Sequence, residues 1–151
     1  GLVNKAYTGT TIKPAITVKN GKTTLKSGKN YTITYGKNTA VGIGTVKIIG
    51  KGNYTGSVTK TFQIVPVKPT VSIVPGNASL KITAKAKGAG SYQIAYATSA
   101  KGKLKYVTSG TSKTLKLSRN KTYYVKVRAY KIVGNKKCYS SYSTLRCIRT
   151  K

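Results

Sequence analysis

The chain has 151 residues, 38% of them hydrophobic, and carries 29 Lys and Arg but no Asp, Glu or His. That length suits one medium domain or two small ones. The missing residue types exclude a carboxylate pair for acid–base chemistry, a His-based triad and a carboxylate-built cation site, so no enzyme activity, metal or cofactor is expected.

Thr, Val, Tyr and Gly are abundant, which favours strands over helices. No apolar run approaches the ~18–20 residues of a membrane span. A signal peptide and Met are both absent, as expected of an excised or processed piece.

In chain order, residues 12–19 (IKPAITVK) place Ile12, Ile16 and Val18 in one parity, the pattern of a half-buried strand. Asn20-Gly21 predicts a hairpin turn, because both residues tolerate positive φ. A short return strand follows at 23–25, then a turn at 27–30. Residues 31–35 (YTITY) alternate Tyr31, Ile33 and Tyr35 against Thr32 and Thr34. A loop over 36–42, a strand over 44–49, a compact turn over 50–56 and a strand over 57–65 complete the first half. Gly50-Lys51-Gly52 lacks both the spacing and the following helix of a phosphate loop. Pro66-Val67-Lys68-Pro69 predicts a short stiff linker.

Seven strands are predicted after the linker: 71–74, 80–86, 92–97, 103–109, 114–117, 122–130 and a final strand through Ile148. Turns are expected at 75–77, 87–90, 99–102 and 110–112, with a loop at 134–137. The sixth strand, TYYVKVRAY, is the most informative. Tyr123, Val125, Val127 and Ala129 fall on one face, and Tyr124, Lys126, Arg128 and Tyr130 on the other. Cys138 and Cys147 would lie on opposite faces of one continuous strand, ~30 Å apart. Free buried thiols are therefore expected rather than a disulfide, Cys147 in particular.

Leu117, five intervening residues and then Tyr123 with Val125, Val127 and Ala129 resemble the fibronectin type III pattern of leucine, tyrosine corner and core strand. Residues 92–96 (YQIAY) resemble that family's third strand. Residues 139–143 (YSSYS) resemble the segment entering its last strand, where bacterial members often carry Trp at the position of Tyr142. The tryptophan usual on the second strand is missing, with Ala84 near its place. In the first half, Tyr7-Thr8-Gly9, Ile12-Lys13-Pro14, residues 50–56 and Thr61-Phe62-Gln63-Ile64 resemble Ig-like repeats of secreted and surface proteins from gut Firmicutes. Those repeats usually carry Asp or Glu where this chain has Asn20, Ser27 and Asn30. The resemblance implies an all-β chain of two tandem β-sandwich domains, Ig-like over 1–65 and fibronectin type III-like over 70–151, joined by 66–69. It implies a secreted or cell-surface location and gives Tyr123 the structural corner role, its hydroxyl bonding back to the backbone.

Cations are interleaved with strand residues, and no three are consecutive, so a folded scaffold displays them. From Val67 onward lie 19 of the 29, against 10 before. Such a surface binds polyanions by releasing their counterions, and tyrosines can stack on bases or sugars. The candidate contact residues are Lys126, Arg128, Lys131, Lys136, Lys137, Arg146, Arg149, Tyr124 and Tyr130. The expected function is a non-catalytic extracellular binding and spacer module for anionic polymers or anionic cell surfaces: teichoic acid, glycosaminoglycan, lipopolysaccharide or nucleic acid. Two alternatives stand beside it: a structural spacer of a bacterial surface protein, and a released fibronectin type III-like fragment recognised by a host receptor. No motif for reading a specific nucleic-acid sequence is present, and a monomer is expected.

Overall fold

A computed structural model describes residues 2–151. Its regular structure consists of fourteen strands, and no helix is long and apolar enough to cross a membrane. The chain divides into two compact units, Gly1–Ile64 and Val65–Lys151. The division falls just ahead of the proline pair. Pro66 and Pro69 are buried, and the Val67 N–H donates to the Lys87 carbonyl at 3.0 Å. Residues 66–69 are thus part of the second unit.

The first unit is built on a four-stranded sheet in the order β1-β6-β5-β4, from β1 (Lys5–Ala6), β4 (Tyr31–Tyr35), β5 (Gly42–Gly50) and β6 (Ser57–Val65). Strand β4 follows the predicted alternation, with Thr32 and Thr34 exposed between the inward Tyr31, Ile33 and Tyr35. The sheet's core positions are Tyr31, Val46, Phe62 and Ile64. Gly44 sits opposite Phe62 in the β5–β6 register. A methyl at Gly44 would come within 2.5 Å of the Phe62 ring, so the strand needs glycine there for the ring to lie across it.

Residues 7–18 form no ladder, contrary to the expected first strand. The Ile12 N–H donates to the Asn38 carbonyl at 3.1 Å, and the Tyr35 hydroxyl donates to the Pro14 carbonyl at 3.0 Å. Pro14, which has no N–H to give a ladder, is buried. A small hairpin of β2 (Lys19–Asn20) and β3 (Thr23–Thr24) follows. Asn20 pairs with Thr23, which moves the predicted turn one residue on, to Gly21-Lys22, with Gly21 at φ 57°.

Asn38 fastens the irregular segment to the sheet. Its backbone is left-handed, at φ 42°, a conformation asparagine tolerates better than most residues. Its buried amide donates to the carbonyls of Ile12 and Thr45 and accepts the Thr45 N–H, at 3.1, 2.9 and 2.9 Å.

The second unit is a β-sandwich of two sheets. One is β11-β8-β7, from β7 (Thr70–Gly76), β8 (Ser79–Lys85) and β11 (Ser112–Lys116). The other runs β10-β9-β12-β13 with β14 also on β12, from β9 (Ser91–Ala97), β10 (Lys105–Ser109), β12 (Thr122–Val133), β13 (Lys136–Tyr139) and β14 (Arg146–Arg149). The shared core contains Leu80, Ile82, Ala84, Ile94, Leu115, Val125 and Val127, with Tyr92 and Tyr123 beside them. Ala84, near the family's tryptophan position, is a buried core residue here.

Two local expectations are corrected. Pro75 and Gly76 lie inside β7, and the reversal is Asn77-Ala78, with Ala78 at φ 46° and Gly76 paired to Ser79. The expected loop at 134–137 shrinks to Gly134-Asn135, because β12 runs on to Val133, which pairs with Lys136.

Asn38→Ala should destabilise the first unit by about 2–4 kcal/mol, since it leaves buried backbone groups without partners. Urea unfolding followed by tyrosine fluorescence measures the change. A loss below about 0.5 kcal/mol would show that water replaces the amide.

Candidate functional site

Strand β12 lies between β9 and the β13/β14 pair, so its outward residues meet side chains from both neighbours. Arg128 pairs across β9 with Gln93, and its Nε donates to Gln93 Oε1 at 2.9 Å. The same oxygen accepts the Tyr142 hydroxyl at 3.3 Å. The Arg128 guanidinium lies 3.7 Å from the Tyr139 ring centroid and 4.8 Å from that of Tyr142. Lys126 Nζ is 4.6 Å from the Tyr142 centroid, and Lys137 Nζ is 5.0 Å from that of Tyr130. The Tyr130 and Tyr139 rings, directly paired across the strands, are 5.5 Å apart. The result is one continuous run of cation–ring and ring–ring contacts: Lys126, Tyr142, Arg128, Tyr139, Tyr130 and Lys137. Each cation–ring contact is worth ~0.5–2 kcal/mol depending on solvent access.

Two serines position the stack. Between β13 and β14 the chain leaves the ladder, yet contact with β12 is kept. The Ser140 N–H donates to the Ala129 carbonyl while its Oγ accepts the Ala129 N–H, both at 2.9 Å. Ser143 repeats this with Val127, at 2.7 and 3.0 Å. Side-chain oxygens thus take the place of backbone carbonyls, and the slack carries Tyr142 back over Arg128.

The sequence-predicted contact residues do not form one patch. Cross-strand partners share a face, so Lys137 (opposite Ile132) and Arg149 (opposite Thr122) share the face of Tyr124, Lys126, Arg128 and Tyr130. Lys131, Lys136 (opposite Val133) and Arg146 (opposite Val125) belong to the other parity. Lys131, Lys136, Lys137, Arg146 and Arg149 are exposed, Lys126, Arg128 and Tyr124 are half-buried, and Tyr130 is buried. Gln93, Tyr139, Ser140, Tyr142 and Ser143 were absent from the predicted set. The YSSYS segment was visible as a motif, but nothing local joins it to Gln93.

Tyr123 closes the corner, its hydroxyl accepting the Ser118 N–H at 3.1 Å. Burial pushes its phenol pKa up, but the Ser118 hydrogen bond and the fields of Lys121 and Lys105 outweigh this, and the net direction is down. A second tyrosine does similar work, as the Tyr92 hydroxyl accepts the Ala86 N–H at 2.8 Å. Burial raises the Tyr142 pKa despite the nearby Arg128. The Cys147 side chain, opposite Tyr124, raises that of Tyr124. Cys147 is exposed and Cys138 buried, both as free thiols, which corrects the expected burial of Cys147. They pair with Tyr124 and Lys131, far apart on β12 and on opposite faces. Among the described residues no group of three or more His, Cys, Asp or Glu exists to hold a metal.

No protein-family model matches the chain, and no curated protein does. Among solved structures, the FN1–FN3 domains of chicken CNTN1 are similar at 22% identity and a TM-score of 0.48, over 74% of this chain and 44% of that one. This chain therefore spans less than half the length of that solved chain.

Ser140→Ala should cost about 1–3 kcal/mol, because it strips the acceptor from a buried N–H. Ser141→Ala, at an exposed position whose side chain makes no such bond, should stay within about 0.5 kcal/mol of the parent. Urea midpoints of the two variants test the assignment, and equal midpoints would refute it.

Proposed function

We propose that the chain is a non-catalytic extracellular module that binds anionic polymers while spacing neighbouring parts of a secreted or surface protein. The observation that carries the proposal is uncompensated charge on display. Every Lys and Arg is exposed except Lys5, Lys126 and Arg128, which are half-buried, and the sequence contains no carboxylate side chain to neutralise any of them. Solubility alone needs only a moderate net charge, not the removal of every acid. An anionic chain laid along such a surface gains chiefly from the release of its counterions.

Within this proposal Lys131, Lys136, Lys137, Arg146 and Arg149 supply contact charge around the second unit. Lys126, Arg128 and Tyr130 hold the outward face in its stacked form. The tandem arrangement and an origin in surface proteins of gut Firmicutes are supported by the residue patterns of both halves. The charge is spread over strands and turns, so no single substitution should abolish binding.

Affinity for a heparin oligosaccharide, measured by calorimetry against NaCl, should fall steeply, with a log–log slope of about −0.7 to −0.9 per anion contacted. A Kd of about 10⁻⁴–10⁻⁶ M is expected at about 150 mM salt. Absence of binding to heparin, teichoic acid and DNA at that salt would overturn the proposal in favour of a purely structural spacer.

A further inference from the structure

A concentration of positive charge around a concavity lies away from the outward face of β12. It sits at one end of the second sandwich, where β9 turns into β10 and β11 turns into β12. There the structure forms a cavity of about 560 Å³ whose lining includes Lys103, Lys105, Lys116 and Lys121. These lysines come from four separate places: the approach to β10, its first residue, the last residue of β11 and the turn before β12. All four are exposed, and the sequence offers no carboxylate to pair with them.

The cavity has a fixed wall. Tyr123 and Tyr96 both line it, with ring centroids 6.5 Å apart at a tilt of 59°. Tyr123 is buried in the core and pinned through its hydroxyl to the Ser118 N–H. Lys121 and Lys105, from different strands' ends, both act on that phenol and pull its pKa down. Their fields therefore converge on one point of the wall. Charges around a low-dielectric concavity focus potential in a way that the same charges on a convex face do not.

We infer that this four-lysine cleft is the chain's principal anion-binding site, and that it takes tetrahedral oxyanion groups, phosphate or sulfate, borne in series on one ligand. The inference rests on the anionic-polymer proposal above and gives it a location. Lysine suits the task as a mobile point charge with three donors. Four such groups around one opening match several anionic centres better than a single one. The half-buried Tyr96 gives sugar or linker atoms between those centres a surface to lie against.

The test uses the full chain, two probes and two variants of equal net charge. The probes are tripolyphosphate for the phosphate source and a sulfated heparin hexasaccharide for the sulfate source. One variant carries Lys103→Gln, Lys105→Gln, Lys116→Gln and Lys121→Gln. The other carries Lys22→Gln, Lys37→Gln, Lys47→Gln and Lys60→Gln, all at exposed positions of the first unit. With at least one probe, the cleft variant should lose about thirtyfold or more in affinity, and its salt slope should flatten by about one per lysine removed. The other variant should change less than about threefold. Amide NMR shifts on titrating the parent chain should concentrate at Tyr96, Ser118, Lys121 and Tyr123. The probe that binds identifies the source of the oxyanion. Equal losses in both variants, with shifts spread over the surface, would overturn the cleft while leaving anionic-polymer binding intact. A parent chain that binds neither probe nor any longer polyanion would overturn both.

Discussion

A fold with 29 positive side chains and no carboxylate must keep its charges apart and give any it cannot keep in water a neutral partner. The strands achieve the first. Charges on exposed side chains stay in water, whose high dielectric keeps the repulsion between neighbours to about 1 kcal/mol or less. Arg128 shows the second. Half-buried against β9 and the β13/β14 segment, it has no acid to meet. Its Nε bonds the Gln93 amide oxygen, and its guanidinium lies near two tyrosine rings. An amide and aromatic quadrupoles here occupy the position an acid often fills.

The same substitution of neutral for charged acceptors recurs across the chain. Asn38 takes the backbone groups of Ile12 and Thr45 into one amide, and Asn30 accepts the Lys26 N–H at 2.9 Å. Ser140, Ser143 and the two corner tyrosines likewise accept main-chain N–H groups. A hydroxyl or amide oxygen accepts such a bond with less strength than a carboxylate but at a smaller desolvation cost. The scaffold can therefore lose its acids without losing its caps and corners, because those positions require an acceptor and do not require a charge.

How much of this was legible follows from the range of each interaction. Period-two alternation placed β4 and the core face of β12 correctly, because burial of one face acts residue by residue. Turn positions slipped by a residue or two at Gly21-Lys22 and Asn77-Ala78. Composition signals a reversal there, but cross-strand pairing fixes its register. The failure at 7–18 has the same origin, since parity predicts a buried face but not whether a neighbouring strand is present to pair. Cys147 was misplaced because thiol burial was read from residue type, whereas its pairing with Tyr124 puts it on the outward face; the detour after Tyr139 was hidden because a serine hydroxyl standing in for a carbonyl has no sequence signature. The stack of Arg128 on Tyr139 and Tyr142 needed three strands brought side by side.

The four-lysine cleft was illegible for a sharper reason. Lys103 and Lys105 fall in one expected strand, Lys116 in another, and Lys121 in neither. Tyr123 lines the cleft with them, and its sequence signal spoke of the core. Yet the corner that buries Tyr123 lies between the end of β11 and the start of β12, and so brings Lys116 and Lys121 to the same cleft. The packing constraint and the electrostatic one thus share a residue. A lysine on a convex strand face acts almost alone beyond a screening length, whereas lysines gathered about one cleft act on the same ligand. Charge count alone predicts a surface that attracts anions everywhere. Charge placed on this fold predicts one end of the second sandwich as the place where they are held.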